Sequence, residues 1–174
     1  IDNKLLNKKG KLTEEEFDTI KKHSLLGYEI LKDSPYIGTE IKKAVLMHHE
    51  RMDGSGYSYG IKNKEICEYA RIVAIADVYD AMTSDRPYKK KATPFDAFHM
   101  FLTSGLCSFD TLAMNTLLLN FSTHLVGAKV ELDNGDVGEI VYIPPHEVIN
   151  PIIRVGSTFL KVTRTQSPKI VSFV

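Results

Sequence analysis

Two adjacent histidines and a carboxyl group, His48-His49-Glu50, run directly into Arg51-Met52-Asp53-Gly54-Ser55-Gly56-Tyr57. Ile41, Ala44, Val45 and His48 recur at helical i, i+3, i+4, i+7 spacing, which places His48 on a stripe that faces a core. His49 lies about 100° further round, so both imidazoles can enter one cavity from the end of one helix. Asp53-Gly54-Ser55-Gly56 is turn chemistry: it stops the helix and exposes backbone N–H groups. His23 falls with Phe17, Ile20, Gly27 and Ile30-Leu31 on one face of an earlier helix, where a neutral imidazole needs a hydrogen-bond partner or a metal. Asp77 sits inside the apolar run Glu68–Thr83, where an ionised carboxylate is costly unless a cation or ion-pair partner accompanies it. Asp80 shares its face. A salt bridge to Arg71 is the structural alternative for Asp77, and a packed core imidazole is the alternative for any one histidine. Three histidines and a carboxylate together favour metal ligation.

The elements that must position these groups are marked by local signals. Thr13-Glu14-Glu15-Glu16 is a capping box opening the helix that bears His23, and Pro35 ends that region. The run from Glu68 to Thr83 is apolar nearly all round and predicts a helix at the centre of the domain. Thr93-Pro94 reads as N-cap and first position of a helix with Phe95, Phe98, Phe101 and Leu102 on its apolar side, His99 lying off that side. Asp110 is an N-cap candidate for a last helix through Leu117-Leu118-Leu119. Between these helices, Ser84–Lys91 is basic: a solvated loop, or a phosphate grip in which Arg86 offers a planar fork and Lys89 a second charge.

From Val126 the pattern changes to strands. Lys129–Leu132 and Val137–Tyr142 flank Asp133-Asn134-Gly135-Asp136, a hairpin signal, and Ile152–Val155, Phe159–Thr163 and Ile170–Val174 read as further strands. His124 and His146 have no ligand partners nearby in sequence and read as surface histidines.

Composition bounds the function. The 174 residues carry 22 basic and 22 acidic side chains, so no overall field attracts a nucleic acid polymer or an acidic membrane. There is no apolar run long enough to cross a membrane and no signal-peptide pattern, and two cysteines are too few for a disulfide framework; a cytoplasmic setting is the expectation. Ile1-Asp2-Asn3-Lys4 lacks an initiator Met and reads as the inside of a larger protein.

The string His48–Tyr57 resembles the signature of the HD-GYP family, bacterial cyclic di-GMP phosphodiesterases within the HD phosphohydrolase superfamily. Leu6–Thr13, Lys22-His23 with Gly27, Ala70–Thr83 and Asp85–Lys89 support the likeness in order, over roughly residues 1 to 122. The resemblance implies a mainly α fold: an HD-type helical bundle over 1–122 and a small β-rich extension over 123–174. It implies two or three divalent metals, iron or manganese, held in this part by His23, His48, His49 and Asp77. It also implies substrate contacts from Asp80, Arg86 and Lys89, and a loop of Glu50, Asp53, Gly54, Gly56 and Tyr57 that borders the pocket or meets a partner. A cyclic dinucleotide substrate, a diguanylate cyclase partner, an upstream sensory or receiver domain and a homodimer belong to the same set of implications. The adjacent His-Asp pair of the family, with its following Gly-Lys, is not in these residues; the resemblance puts it upstream of Ile1, so its bridging Asp and its phosphate-contacting Lys are not supplied here. A degenerate dinucleotide-binding or protein-interaction module, and another HD-type nucleotide phosphohydrolase, are the alternatives. Two further departures are Ser58, where the family has proline, expected to loosen the loop, and Thr111, which replaces another proline.

Overall fold

The structure, a computed structural model, describes residues 1–85 and 91–174. In chain order the elements are α1 (Asn3–Leu6), α2 (Glu14–Lys21), α3 (His23–Leu31), α4 (Thr39–Met47), α5 (Glu68–Thr83), α6 (Pro94–Leu102) and α7 (Thr111–Leu125). The strands β1 (Lys129–Leu132), β2 (Val137–Tyr142), β3 (Ile152–Val155), β4 (Thr158–Lys161) and β5 (Ile170–Phe173) follow. The mainly helical body with a C-terminal β part is therefore as the sequence predicts.

Helix starts follow the capping chemistry. Thr13 Oγ1 accepts from Glu16 N while Thr13 N donates to Glu16 Oε2, and Thr93 and Asp96 repeat this reciprocal pair at α6, with Pro94 at its first position. Asp110 Oδ1 accepts from Ala113 N at the start of α7, and Thr111 occupies the first helical position, where a proline is equally at home.

Two helical expectations need correction. The helix opened by Thr13 is not continuous: it breaks at Lys22. There the His23 imidazole and the Ser24 hydroxyl donate to the carbonyls of Ile20 and Lys21, at 2.8 and 3.3 Å, and compete for acceptors of the last turn of α2. Its apolar stripe is also not covered, since Phe17 is 45% and Ile30 80% exposed and α3 buries only Ser24. The second correction concerns α5, which is buried on one side only. Ala70, Ala74 and Ile75 enter the core, whereas Tyr69, Ile72 and Val73 are exposed. Asp77 is accordingly not a buried charge; its side chain is 44% exposed. Arg71 turns to Asp110, with Nη1 2.8 Å from Oδ2, and not to Asp77.

The core lies where α5, α6 and α7 meet the sheet. Phe98, Phe101 and Met114 join Val130, Leu132, Ile140 and Ile153 in one apolar cluster, and Phe95 stacks on Phe173 with ring centroids 6.2 Å apart. The sheet is antiparallel in the order β4-β3-β2-β1-β5. Its β1–β2 turn places Gly135 at φ 86°, a conformation that glycine adopts at no steric cost. Alternation sends Val130, Leu132 and Ile140 inward and leaves Glu139 and Arg154 to pair on the outer face at 2.7 Å.

Candidate metal centre

Two helix ends converge and bring three histidines together. His23 is the first residue of α3, His48 caps the C-terminus of α4 and His49 follows it. His23 Nδ1 is 2.8 Å from the Ile20 carbonyl and His48 Nδ1 is 2.8 Å from the Val45 carbonyl. A carbonyl only accepts, so both rings carry a proton on Nδ1, and in the neutral form of either ring Nε2 is then the acceptor. These two Nε2 atoms face each other at 3.1 Å, and His49 Nε2 stands 3.1 Å from that of His23. Two acceptor lone pairs at that distance repel unless a cation lies between them. Two imidazole nitrogens at about 90° on a single ion, with bonds of about 2.1 Å, stand about 3 Å apart. Backbone carbonyls on the far ring nitrogens are the usual outer support of histidine ligands.

The electrostatics agree. Burial pushes the His48 pKa down, with the neighbouring His23 adding to the effect. Burial, then His48, His23 and Arg51, push His49 down to about 3. Both rings are thus neutral near pH 7 and available as ligands. Asp77 supplies the nearest carboxylate, its Oδ2 3.8 Å from His49 Nδ1. The residues present fit a divalent cation of borderline softness: imidazole and carboxylate donors with no thiolate in the cluster.

The glycine loop folds back onto this helix end. Tyr57 N donates to the His49 carbonyl at 3.2 Å and Tyr59 N to Glu50 Oε1 at 2.6 Å. A Cβ on Gly56 would stand 2.4 Å from the His49 oxygen and 2.5 Å from the Glu50 Cα, so only glycine permits this approach. Tyr57 stacks on His49, centroids 4.6 Å apart and planes 28° apart, and meets the edge of Phe17 at 6.5 Å. Asp53 takes hydrogen bonds from Ser55 and, across 55 residues of sequence, from the Ser108 hydroxyl at 2.8 Å. Gly54 turns the chain at φ 81°. Ser58, where the family has proline, brings its hydroxyl 2.9 Å from that of the buried Ser24, a contact proline cannot make.

The structure thus brings together His23, His48, His49 and, at the rim, Asp77. Asp80 is exposed on α5 and accepts from the Ser84 hydroxyl at 2.8 Å. Arg86 and Lys89 lie outside the described residues. His124 and His146 are on the surface as expected. Ser24 and Ser108 are tethers the sequence did not reveal, because each partner lies in a distant segment and a serine carries no local signal of it.

The HD domain family profile matches residues 3–111. The chain belongs to the HD domain family. Among curated relatives it is 34% identical over 151 residues to a cyclic di-GMP phosphodiesterase of Pseudomonas aeruginosa, covering 87% of this chain and 36% of that protein. It is 47% identical over 102 residues to a cyclic di-GMP phosphodiesterase of Thermotoga maritima, covering 56% of this chain and 27% of the relative. It is also 37% identical over 97 residues to a 3'3'-cGAMP-specific phosphodiesterase of Vibrio cholerae, covering 55% of this chain and 20% of that protein. Among solved structures, an HDG"Y"P protein from Bdellovibrio bacteriovorus superposes with a TM-score of 0.52 at 17% identity, over 61% of this chain and 33% of the other, which shows a shared fold. The chain therefore spans about a third or less of the length of these relatives.

Proposed function

We propose that this chain forms part of a metal-dependent phosphodiesterase of the HD-GYP group that opens cyclic di-GMP to the linear dinucleotide or to GMP. The observation that carries the reading is the histidine trio, with Nε2 atoms converging at 3.1 Å while backbone carbonyls occupy the far nitrogens of His23 and His48. In this reading His23, His48, His49 and Asp77 hold two or three divalent cations, iron or manganese, together with a His-Asp pair contributed from outside these 174 residues. Cations held there would supply Lewis acidity toward a phosphodiester oxygen and toward a water. The chain's own contributions in this reading are to keep His48 and His49 neutral, to orient the three imidazoles, to cover His49 with Tyr57 and to bind substrate through Asp80, Arg86 and Lys89. The relatives at 34% and 47% identity, both cyclic di-GMP phosphodiesterases, support this substrate class.

A second reading keeps the centre and changes the bases, since a 3'3'-cGAMP-specific relative matches at 37% identity. A third is a degenerate module that binds the dinucleotide without hydrolysis.

The test is elemental analysis of the full-length gene product, with hydrolysis of cyclic di-GMP and of 3'3'-cGAMP followed side by side. Two or more iron or manganese ions per chain with cyclic di-GMP turnover is the expected result. Turnover of 3'3'-cGAMP alone transfers the assignment to the second reading, and dinucleotide binding without metal or turnover to the third.

A further inference from the structure

Glu50 is the one charged side chain buried among the described residues, at 2% exposure. A carboxyl group so placed is costly unless its oxygens are used. Oε1 is used: it accepts the Tyr59 N–H at 2.6 Å and closes a nine-residue span of the glycine loop. Oε2 has no hydrogen-bond partner among the described residues. The cost is therefore borne for a single bond, and that bond fixes the loop rather than any helix.

The loop acts on His49. Tyr57 lies two residues before the clasped Tyr59, and its ring covers one face of the His49 imidazole, with centroids 4.6 Å apart. The His48 ring lies beside it as well, with centroids 4.2 Å apart and planes tilted by 40°. His49 thus touches both His48 and Tyr57, and the stacked Tyr57 ring restricts rotation of the imidazole. Tyr57 is kept in place by its own N–H on the His49 carbonyl, by the close seat of Gly56 on residues 49–51, and by the Ser58–Ser24 contact to α3, the helix that His23 begins. Arg51 strengthens the seat by donating to the carbonyls of His48 and Glu50 at 3.3 and 2.9 Å.

We propose that Glu50 is a positioning residue: its buried carboxyl group clasps the glycine loop so that Tyr57 holds the plane of the His49 imidazole toward His23 and His48. The consequence for a bound cation rests on the metal-centre reading above; the effect on the ring does not. Acceptance from Tyr59 needs an oxygen and not a charge, so Glu50→Gln keeps the clasp, whereas Glu50→Ala releases it and Tyr57→Ala removes what the clasp positions.

Two measurements on the full-length protein test this. In the metal-free protein with labelled histidine, side-chain nitrogen resonances of His49 report the ring directly. The wild type and Glu50→Gln are expected to show one set of His49 signals. Glu50→Ala and Tyr57→Ala should give shifted or exchange-broadened His49 signals while those of the surface residues His124 and His146 stay in place. With cobalt(II) as the only added ligand, the visible absorption band should shift in Glu50→Ala and Tyr57→Ala, with the dissociation constant raised about 10- to 100-fold, the effect of losing outer support from a ligand. A folded Glu50→Ala protein with wild-type His49 signals overturns the assignment, as does a Tyr57→Ala protein in which His49 is unmoved, or a Glu50→Gln protein as altered as Glu50→Ala. Should Glu50→Ala fail to fold, Glu50→Gln and Tyr57→Ala decide. A wild type that takes up no cobalt(II) defeats the metal-centre reading, and the metal-free resonances still decide the role of Glu50.

Discussion

His23 and His48 point bare Nε2 atoms at each other across 3.1 Å, each with its Nδ1–H given to a carbonyl three residues back. On the proposed function, the pair receives a cation. Alanine at His23, His48 or Asp77 should therefore abolish retention of iron or manganese. For Asp77→Ala, whose side chain is 44% exposed, the fold should persist with a stability change within about 0.5 kcal/mol, the range for surface substitutions. Elemental analysis beside thermal unfolding checks this. An Asp77→Ala protein with full metal content removes Asp77 from the ligand set.

Arg86 is placed in the phosphate grip by sequence alone. Arg86→Ala should weaken cyclic di-GMP binding by about 1–3 kcal/mol, the range for a charge-assisted contact, and leave metal content unchanged. Titration calorimetry on the metal-loaded protein measures it. Wild-type affinity and turnover in that variant would remove the role.

Asp110 serves two partners, capping α7 through Ala113 N and pairing with Arg71 at 2.8 Å. Both side chains of the pair are largely covered, with 24% and 19% exposed. Asp110→Ala removes a cap worth about 1 kcal/mol and leaves a half-buried guanidinium without its counter-charge, so a loss of about 2–3 kcal/mol is expected from chemical denaturation. Asp110→Asn keeps the cap acceptor and should lose less.

Asp53 gives the loop a pH dependence of definite sign. Hydrogen bonds from the Ser55 hydroxyl, the Ser55 backbone and Ser108 hold its carboxyl group down to about 2 from an ordinary value of 3.8. A carboxyl group depressed in the folded state stabilises above its unfolded pKa and loses that contribution as pH falls through its folded pKa. The melting-temperature gap between the wild type and Asp53→Asn should be constant above about pH 5 and close between about pH 4 and pH 2. Because Asp53 is exposed, the gap is expected to be small and to shrink in salt. A gap unchanged at pH 2 would show that its hydrogen bonds contribute nothing.

Much of this was legible in the sequence because it is local. Thr13, Thr93 and Asp110 announce their helices within four residues, and the Asn134-Gly135 turn fixes the register of β1 and β2. The convergence of the histidines was legible in part because adjacency and periodicity carry His48 and His49 to one helix end. Burial was less so. The apolar run of α5 suggested that Asp77 is enclosed, but a run apolar all round does not say which sides are covered, and in the structure Tyr69, Ile72 and Val73 are exposed. The break at Lys22 was hidden for another reason: it comes from His23 and Ser24 side chains reaching back to carbonyls, a competition that hydrophobic periodicity does not register. The tethers Ser24–Ser58 and Asp53–Ser108 join residues 34 and 55 apart, and nothing in either short segment names the other.

The packing of the chain is uneven, and that unevenness has a bearing on how it opens. The apolar cluster is drawn from α5, α6, α7 and the sheet, while α1 and α2 bury no residue and α3 buries only Ser24. Local opening free energies follow such differences. Backbone amides of α2 and α3 should therefore exchange with solvent at a low opening free energy, and those around Phe98, Leu118 and Ile140 only on global unfolding. His23 belongs to the first group and sits against His48, at the end of the better-packed α4. A cation held by both closes the loosely held layer onto the firm one, and by mass action its binding energy appears as slowed exchange in α3. Occupancy of the centre is thus readable at the amides of a helix that takes almost no part in the core.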